Sequence, residues 1–407
     1  MQNDRYWIWL QNVMGYASRT YDVLSVWHSA KEIYNADKDL LRASQLFSDI
    51  QLRKMEITDL SIADKVISDC EEKGWKIVNY EDGEYPPQLR QIFDFPLVLY
   101  VSGDVKCLTH EMPIGVIGTR KPSQYAIDVA ETISIELAKR NALIVSGGAQ
   151  GIDSVAHNSA MDAGGKTVVI MGCGLGYDYL SVNEPMRNRA EHNGAVITEY
   201  PPYTSAKSFQ FVQRNRITAA FCKGVLVVEA GEKSGSLSTA NRVLKYNKDL
   251  FVVTGDARGK GFVGANKLAQ NGARVVFSAD DILTLYGFEI RNRDSFYFSG
   301  TGKAVFEGID DYPEGKNEKP KKRKNKNIIK AEKSEKTEGE KEKSGINTDL
   351  LSQEAKTVYK AISEGEAYLD DIAKKTRIQI RDVLVALTEL EFEGIVECGA
   401  GNEYRIR

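Results

Sequence analysis

The spacing of apolar residues changes several times along the chain, and each change marks a boundary. Through 4–73 they recur every three to four positions: Val23, Val26 and Trp27, then Leu60, Ile62, Val66 and Ile67. That period marks helices buried along one face. Breaks near Gly15, Asn35 and Ser44 cut the stretch into short helices, so 1–80 reads as a small helical domain. Tyr85-Pro86-Pro87 then forces extended chain, because each proline fixes its own φ and biases the residue before it away from helix. It leads into the apolar run 96–101, a strand ended by Ser102-Gly103-Asp104.

From Pro113 short apolar runs alternate with amphipathic stretches of helical length. The runs are 114–118, 143–146, 167–171, 195–199, 225–229, 250–254 and 274–277, with helices such as 126–140 and 152–163 between them. Continuous Val/Ile/Leu strands separated by helices predict a mostly parallel sheet covered on both faces. Right-handed crossovers make such a sheet doubly wound. The fold class is α/β, a Rossmann-like domain over 81–300.

After about Gly300 the apolar pattern stops. Residues 314–344 are dominated by Lys, Glu, Asn and Ser and include the run Lys319-Pro320-Lys321-Lys322-Arg323-Lys324. Such a segment cannot bury enough surface to offset its ordering entropy, so 301–347 reads as a disordered charged linker. Its basic run suits either a solvated tether or a contact with DNA. Beyond it, helices are expected at 349–363, 369–375 and 380–393, then a hairpin over 394–406. Three helices and a hairpin are the winged-helix order, assigned to 348–407.

Charge and composition narrow the chemistry. The 54 Lys and Arg against 57 Asp and Glu give a net charge of −3. Bulk electrostatics will not coat nucleic acid with such a chain, so any nucleic-acid role needs a local basic site. The five cysteines and four histidines are scattered, with no CxxC pair and no metal-ligand spacing. No metal and no cofactor are expected. No apolar run approaches the ~20 residues that span a bilayer, and the acidic start does not resemble a secretory signal. No membrane partner and a cytoplasmic location are expected.

The glycine-rich loops carry the chemistry. Gly115-Val116-Ile117-Gly118-Thr119-Arg120-Lys121-Pro122-Ser123 leaves the first parallel strand and enters a helix. A helix N-terminus after a glycine turn offers unpaired N–H groups and a positive dipole end, which suit an anion. Arg120 adds a planar fork that fits phosphate oxygens. Ser146-Gly147-Gly148-Ala149-Gln150-Gly151-Ile152-Asp153 follows the next strand, with Asp153 read as ordering the loop and His157 as packing. Gly172-Cys173-Gly174-Leu175-Gly176 and Ser234-Gly235-Ser236-Leu237-Ser238-Thr239 follow later strands. In an open parallel sheet these strand ends share one edge, so the loops should converge. Arg214-Asn215-Arg216, near Phe209 and Phe211, suits either a phosphate chain with stacking bases or helical salt bridges. A dinucleotide fits poorly: GxGxxG is missing after the first strand, and Ser146 stands where a ribose-reading acid would be. A Walker lysine loop is missing too.

These residues, in this order and spacing, resemble the DNA-processing protein A family, DprA or Smf. The resemblance spans about 85–283. It rests on Tyr85-Pro86-Pro87, Gly118-Thr119-Arg120, Ser146-Gly147-Gly148, Arg214-Asn215-Arg216-Ile217, Glu229-Ala230 followed by Ser234-Gly235-Ser236, and Gly264-Ala265-Asn266. The flanking regions match longer members in outline, with 1–80 in the place of a SAM-like helical domain. The resemblance implies a homodimer that binds single-stranded DNA and hands it to the RecA recombinase during natural transformation, without catalytic turnover. It implies a DNA-binding set of Gly118, Thr119, Arg120, Ser123, Ser146, Gly147, Gly148, Gly151, Arg214, Asn215, Arg216, Ser234, Gly235 and Ser236. One departure is Ser181, where the family often carries a basic residue; Arg187 or Arg189 could supply the lost contact. Another is the winged helix, which has twelve acids against eight bases from Asp349 on and so suits partner docking better than duplex binding. The alternatives are a phosphoribohydrolase-like nucleotide enzyme, disfavoured because 234–241 carries no acid, and a winged-helix duplex-binding regulator.

Overall fold

The computed structural model describes residues 3–287, 352–365, 368–378, 380–392, 395–398 and 404–406. The expected linker at 301–347 lies outside the described residues. The rest falls into two compact units, one before and one after that gap.

Six short helices open the chain: α1 (Asp4–Met14), α2 (Thr20–Val26), α3 (Ala30–Asn35), α4 (Lys38–Ala43), α5 (Asp49–Ile57) and α6 (Ser61–Lys73). Side chains define several starts. Ser29 accepts from Glu32 N, Asp37 from Leu40 N, and Ser48 forms a capping box with Gln51. Gly74, at φ +70°, stops α6.

The next element departs from the sequence reading. Lys76–Asn79 is a strand, β1, inside the span assigned to helix. Four residues are too few for periodicity to separate strand from helix, and pairing with the following strand decides it.

The sheet continues with β2 (Val98–Gly103), β3 (Pro113–Ile117), β4 (Leu143–Ser146), β5 (Thr167–Ile170), β6 (Gly194–Thr198), β7 (Gly224–Val227), β8 (Asp249–Val252) and β9 (Arg274–Val275). Between them run α7 (Gln124–Lys139), α8 (Ile152–Asp162), α9 (Glu184–Asn193), α10 (Ser208–Phe221), α11 (Gly235–Lys245), α12 (Val263–Gln270) and, last, α13 (Ala279–Leu283). The strand order is β1-β2-β6-β5-β4-β3-β7-β8-β9. β2 is antiparallel to β1 and β6, and every other pair is parallel. From β3 the chain winds outward through β4, β5 and β6, then returns to lay β7 on the other side of β3. The order therefore reverses between β3 and β7, and a crevice opens beyond their carboxyl ends.

The opening helices share the sheet's core. Trp7, Leu10 and Val13 of α1 are buried in one hydrophobic cluster with Val98, Ile197 and the central strands. Gln11 fastens the join: its Oε1 accepts from Val98 N at 2.9 Å and its Nε2 donates to Glu199 O at 2.6 Å.

The second unit holds α14 (Gln353–Ser363), α15 (Leu369–Thr376) and α16 (Ile380–Phe392), followed by β10 (Val396–Cys398) paired antiparallel with β11 (Tyr404–Ile406). Val358, Ile372, Leu387 and Leu390 are wholly or almost wholly buried in its separate core. This is the expected winged helix. Among the described residues no helix is long and apolar enough to cross a membrane.

Replacing Gln11 by Ala strands the Val98 N–H in a buried setting. An unsatisfied buried donor costs about 1–3 kcal/mol, so Gln11→Ala should lower the unfolding free energy by that amount and move the urea midpoint down at unchanged slope. An unmoved midpoint would show that α1 is held by its apolar face alone.

Candidate functional site

Four loops were expected to converge at the carboxyl edge of the sheet. Three of them do, around the β3/β7 reversal.

The first loop leaves β3 at Gly118, where a Cβ would lie 2.6 Å from the Ile152 side chain. Its path is set by main-chain bonds: Thr119 N donates to Glu229 O at 2.8 Å, and Ile152 N donates to Thr119 O at 3.2 Å. Gly151, at φ +84°, lies so close under Thr119 O that no side chain fits. These contacts push Arg120 into solvent. Among the described residues no carboxylate lies within ion-pair distance of it.

The second loop is tied down by Asp153, as the sequence suggested. The buried Asp153 Oδ2 accepts from Gly147 N at 3.1 Å and Ala149 N at 3.3 Å. Burial raises its pKa, and the nearby Arg214 charge opposes that shift. Arg214 comes from α10 and is 6% exposed. Its Nη1 donates to Gly147 O at 3.0 Å and to Ile170 O, and its Nε to Asn215 Oδ1 at 3.3 Å. A Cβ on Gly147 would lie 2.6 Å from the Arg214 guanidinium, so any side chain here would displace that group from its place. Burial pushes the Arg214 pKa down, with Asp153 the leading opposing charge. No carboxylate among the described residues bonds to it directly.

The third converging loop starts α11. No side chain caps this helix; Ser234 Oγ bonds Ser236 Oγ at 2.7 Å instead. The first N–H groups of α11 thus have no side-chain acceptor, and the positive end of the helix faces the crevice. Together the loops wall a cavity of about 770 Å³.

Gly118, Thr119, Arg120, Gly147, Arg214, Asn215, Ser234, Gly235 and Ser236 line this cavity. The remaining five expected residues do not, and each has another task. Ser146 is wholly buried and donates to Val116 O at 2.6 Å, tying β4 to β3. Gly148, at φ +67°, packs against Val169. Gly151 makes the close approach to Thr119. Ser123 caps α7, accepting from Ala126 N while its own N–H and O–H donate to Glu229.

Arg216 is the largest correction. It is wholly buried, its Nη2 lies 2.5 Å from Glu199 Oε2, and its Nε is 3.7 Å from Asp94 Oδ2. Tyr246 donates to the same Asp94 at 3.0 Å. Residues two apart on a helix do not share a face. Once Arg214 turns to the crevice, Arg216 must turn to the core.

The third glycine loop also goes elsewhere. Gly176 packs against Tyr203 and Trp75, and the loop lines a separate cavity of about 440 Å³ with Arg187. Arg189 is held by Asp162 and Asn158. Ser181 lines this second cavity beside Arg187, and neither residue lines the main one. His157 is buried against Thr167 Oγ1 at 2.6 Å, and burial pushes its pKa down to about 3, so it packs as a neutral ring.

The structure adds an aromatic wall. Tyr179 and Phe211 line the cavity with ring centroids 4.8 Å apart. Phe211 was legible, since it precedes Arg214 by three residues on the same face of α10. Tyr179 arrives from a loop whose path the sequence does not specify. Lys121 and Ser208 also line the cavity.

Residues 53–287 match the family described as DNA recombination-mediator protein A, and residues 346–402 match the DprA winged helix domain. The DNA processing protein DprA of Bacillus subtilis is 34% identical over 218 residues, covering 54% of this chain and 73% of the relative. The DNA processing protein DprA of Streptococcus pneumoniae is 35% identical over 207 residues, covering 51% and 73%. The X-ray structure of DNA processing protein A from Streptococcus pneumoniae superposes with a TM-score of 0.60 at 28% identity, covering 70% of this chain and 99% of that one.

Proposed function

This chain belongs to the DNA recombination-mediator protein A family, and from that premise we propose that it binds single-stranded DNA in the β3/β7 crevice and hands it to the RecA recombinase. The observation that carries the reading is one cavity lined by three cations that, among the described residues, have no bonded carboxylate, Arg120 and Lys121 exposed and Arg214 buried, beside the uncapped start of α11. A fixed array of N–H, hydroxyl and guanidinium donors suits phosphate oxygens. Tyr179 and Phe211 offer the bases an apolar surface. Stacking of this kind tolerates any sequence, as incoming DNA of unspecified sequence requires.

The role of each group follows from its mobility. Arg120, on an exposed loop, reaches for a backbone phosphate. Arg214, fixed by two carbonyls, sets the positive potential of the floor. Gly147 and Gly118 let the strand approach the main chain, and Ser234, Gly235 and Ser236 present donors at the helix start. The reading is one of binding and delivery in the cytoplasm, without turnover. A homodimer would place two crevices in one particle. Its natural interface is the sheet edge beyond β9, where Phe277 is 80% exposed.

Arg120→Ala should weaken binding of labelled oligo-dT about tenfold, or about 1.4 kcal/mol, in fluorescence anisotropy at moderate salt. The slope of log K against log salt should shrink by ~0.7, the share of one single-strand phosphate. Unchanged affinity would remove Arg120 from the site. In a RecA strand-exchange assay on protein-coated single strands, adding the chain should shorten the lag, and Phe277→Asp should reduce both the effect and the mass measured by light scattering. An unchanged lag would sink the delivery step.

A further inference from the structure

A carboxylate is buried directly behind the phosphate-facing loop. Glu229 follows β7 and is 5% exposed. In a site built to attract anions, a negative charge here should oppose binding unless it does something else.

Its bonds show what it does. The β3/β7 pairing runs on past the strand ends, with Val228 N donating to Ile117 O at 3.0 Å and Thr119 N to Glu229 O at 2.8 Å. There the first loop leaves the sheet. Four residues later it returns to the same residue: Ser123 N and Ser123 Oγ both donate to Glu229 Oε2, at 2.8 and 2.9 Å. Only Arg120, Lys121 and Pro122 lie between the two anchor points. Inside the loop Lys121 N turns back to Thr119 Oγ1 at 3.3 Å. The other carboxylate oxygen, Oε1, rests against Gly261, where a Cβ would overlap it.

We infer that Glu229 is a positioning residue: its main-chain oxygen holds the first foot of the loop, its carboxylate holds the second, and together they keep Arg120 and Lys121 out over the crevice. A carboxylate suits this task because one oxygen can accept two donors at once. Both bonds are charge-assisted, and they absorb much of the charge that would otherwise repel phosphate. Gly261 completes the clamp from behind by leaving the space that Oε1 occupies.

This inference rests on the DNA-binding reading, and simple electrostatics predicts the opposite sign. If Glu229 were only a nearby anion, removing it would tighten binding. If it is the clamp, Glu229→Ala frees the loop and weakens oligo-dT binding about tenfold, with the salt slope reduced by ~0.7, as expected for losing the Arg120 contact. Adding Arg120→Ala to Glu229→Ala should then cost less than about twofold more, because both changes remove one interaction. Glu229→Gln keeps an oxygen acceptor and should restore binding to within about twofold of the parent. Gly261→Ala, which changes nothing in the crevice, should reproduce the Glu229→Ala defect by displacing the carboxylate.

The same full-length proteins also answer without DNA. Amide hydrogen exchange at Ser123 should accelerate in Glu229→Ala, while Thr119, bonded to a main-chain oxygen that the variant keeps, and the strands β3 and β7 stay protected, which shows that the variant is folded. Tighter binding by Glu229→Ala, multiplicative losses in the double variant, or unchanged exchange at Ser123 would each overturn the clamp. Failure of the unmodified protein to bind oligo-dT would overturn the DNA-binding reading instead, and the exchange measurement alone would then decide the clamp.

Discussion

One guanidinium organises the edge of the sheet where the strand order reverses. Arg214 is almost wholly buried, yet its bonds go to two main-chain carbonyls and an amide oxygen. Burying a cation without a bonded carboxylate is costly, by several kcal/mol even after relaxation. The surrounding structure is arranged around that cost. The ends of β4 and β5 supply the carbonyls, Gly147 gives the guanidinium room, and the Phe211 ring lies 6.0 Å from it. Asp153 stays close enough to oppose the desolvation of Arg214 but spends its oxygen on Gly147 and Ala149. The charge on Arg214 is thus only partly balanced by the chain itself, and a phosphate arriving from solvent would supply the rest.

The neighbouring arginine shows the other solution to the same problem. Arg216 is buried as deeply, but between Glu199 and Asp94, so its charge is neutralised inside the protein. One helix therefore carries a structural cation on one face and a crevice-lining cation on the other. Removing a partner from a buried pair of the Arg216 kind typically costs about 3–5 kcal/mol. Loss of function in an Arg216 variant is therefore a statement about folding rather than about contact with a strand.

The parallel sheet and its loops were legible because apolar runs ending in glycine leave few alternatives once helices separate them. The convergence of three of them followed from topology, while the loop at 172–176 lines a separate cavity. Which side chains face the cavity was less legible. Arg214-Asn215-Arg216 reads as one basic cluster along the sequence, and only the helical turn separates its members. Ser123 and Ser146 look like phosphate donors by type, but their hydroxyls are committed to Glu229 and Val116 through long-range pairing that no local pattern encodes. The strand β1 was hidden by its length, and Tyr179 by its loop. The winged helix was legible in its element order. Its α16 shows Ile380 and Val385 to solvent, which adds an apolar surface to the acid excess read from the sequence.

The most direct test of the account is a crystal structure of the chain with a short oligo-dT. The account predicts a backbone phosphate in the β3/β7 crevice, within hydrogen-bond distance of Arg120 and the first N–H groups of α11, and a base against Tyr179 or Phe211. A strand bound elsewhere, with the crevice empty and Arg120 turned to solvent, would contradict it.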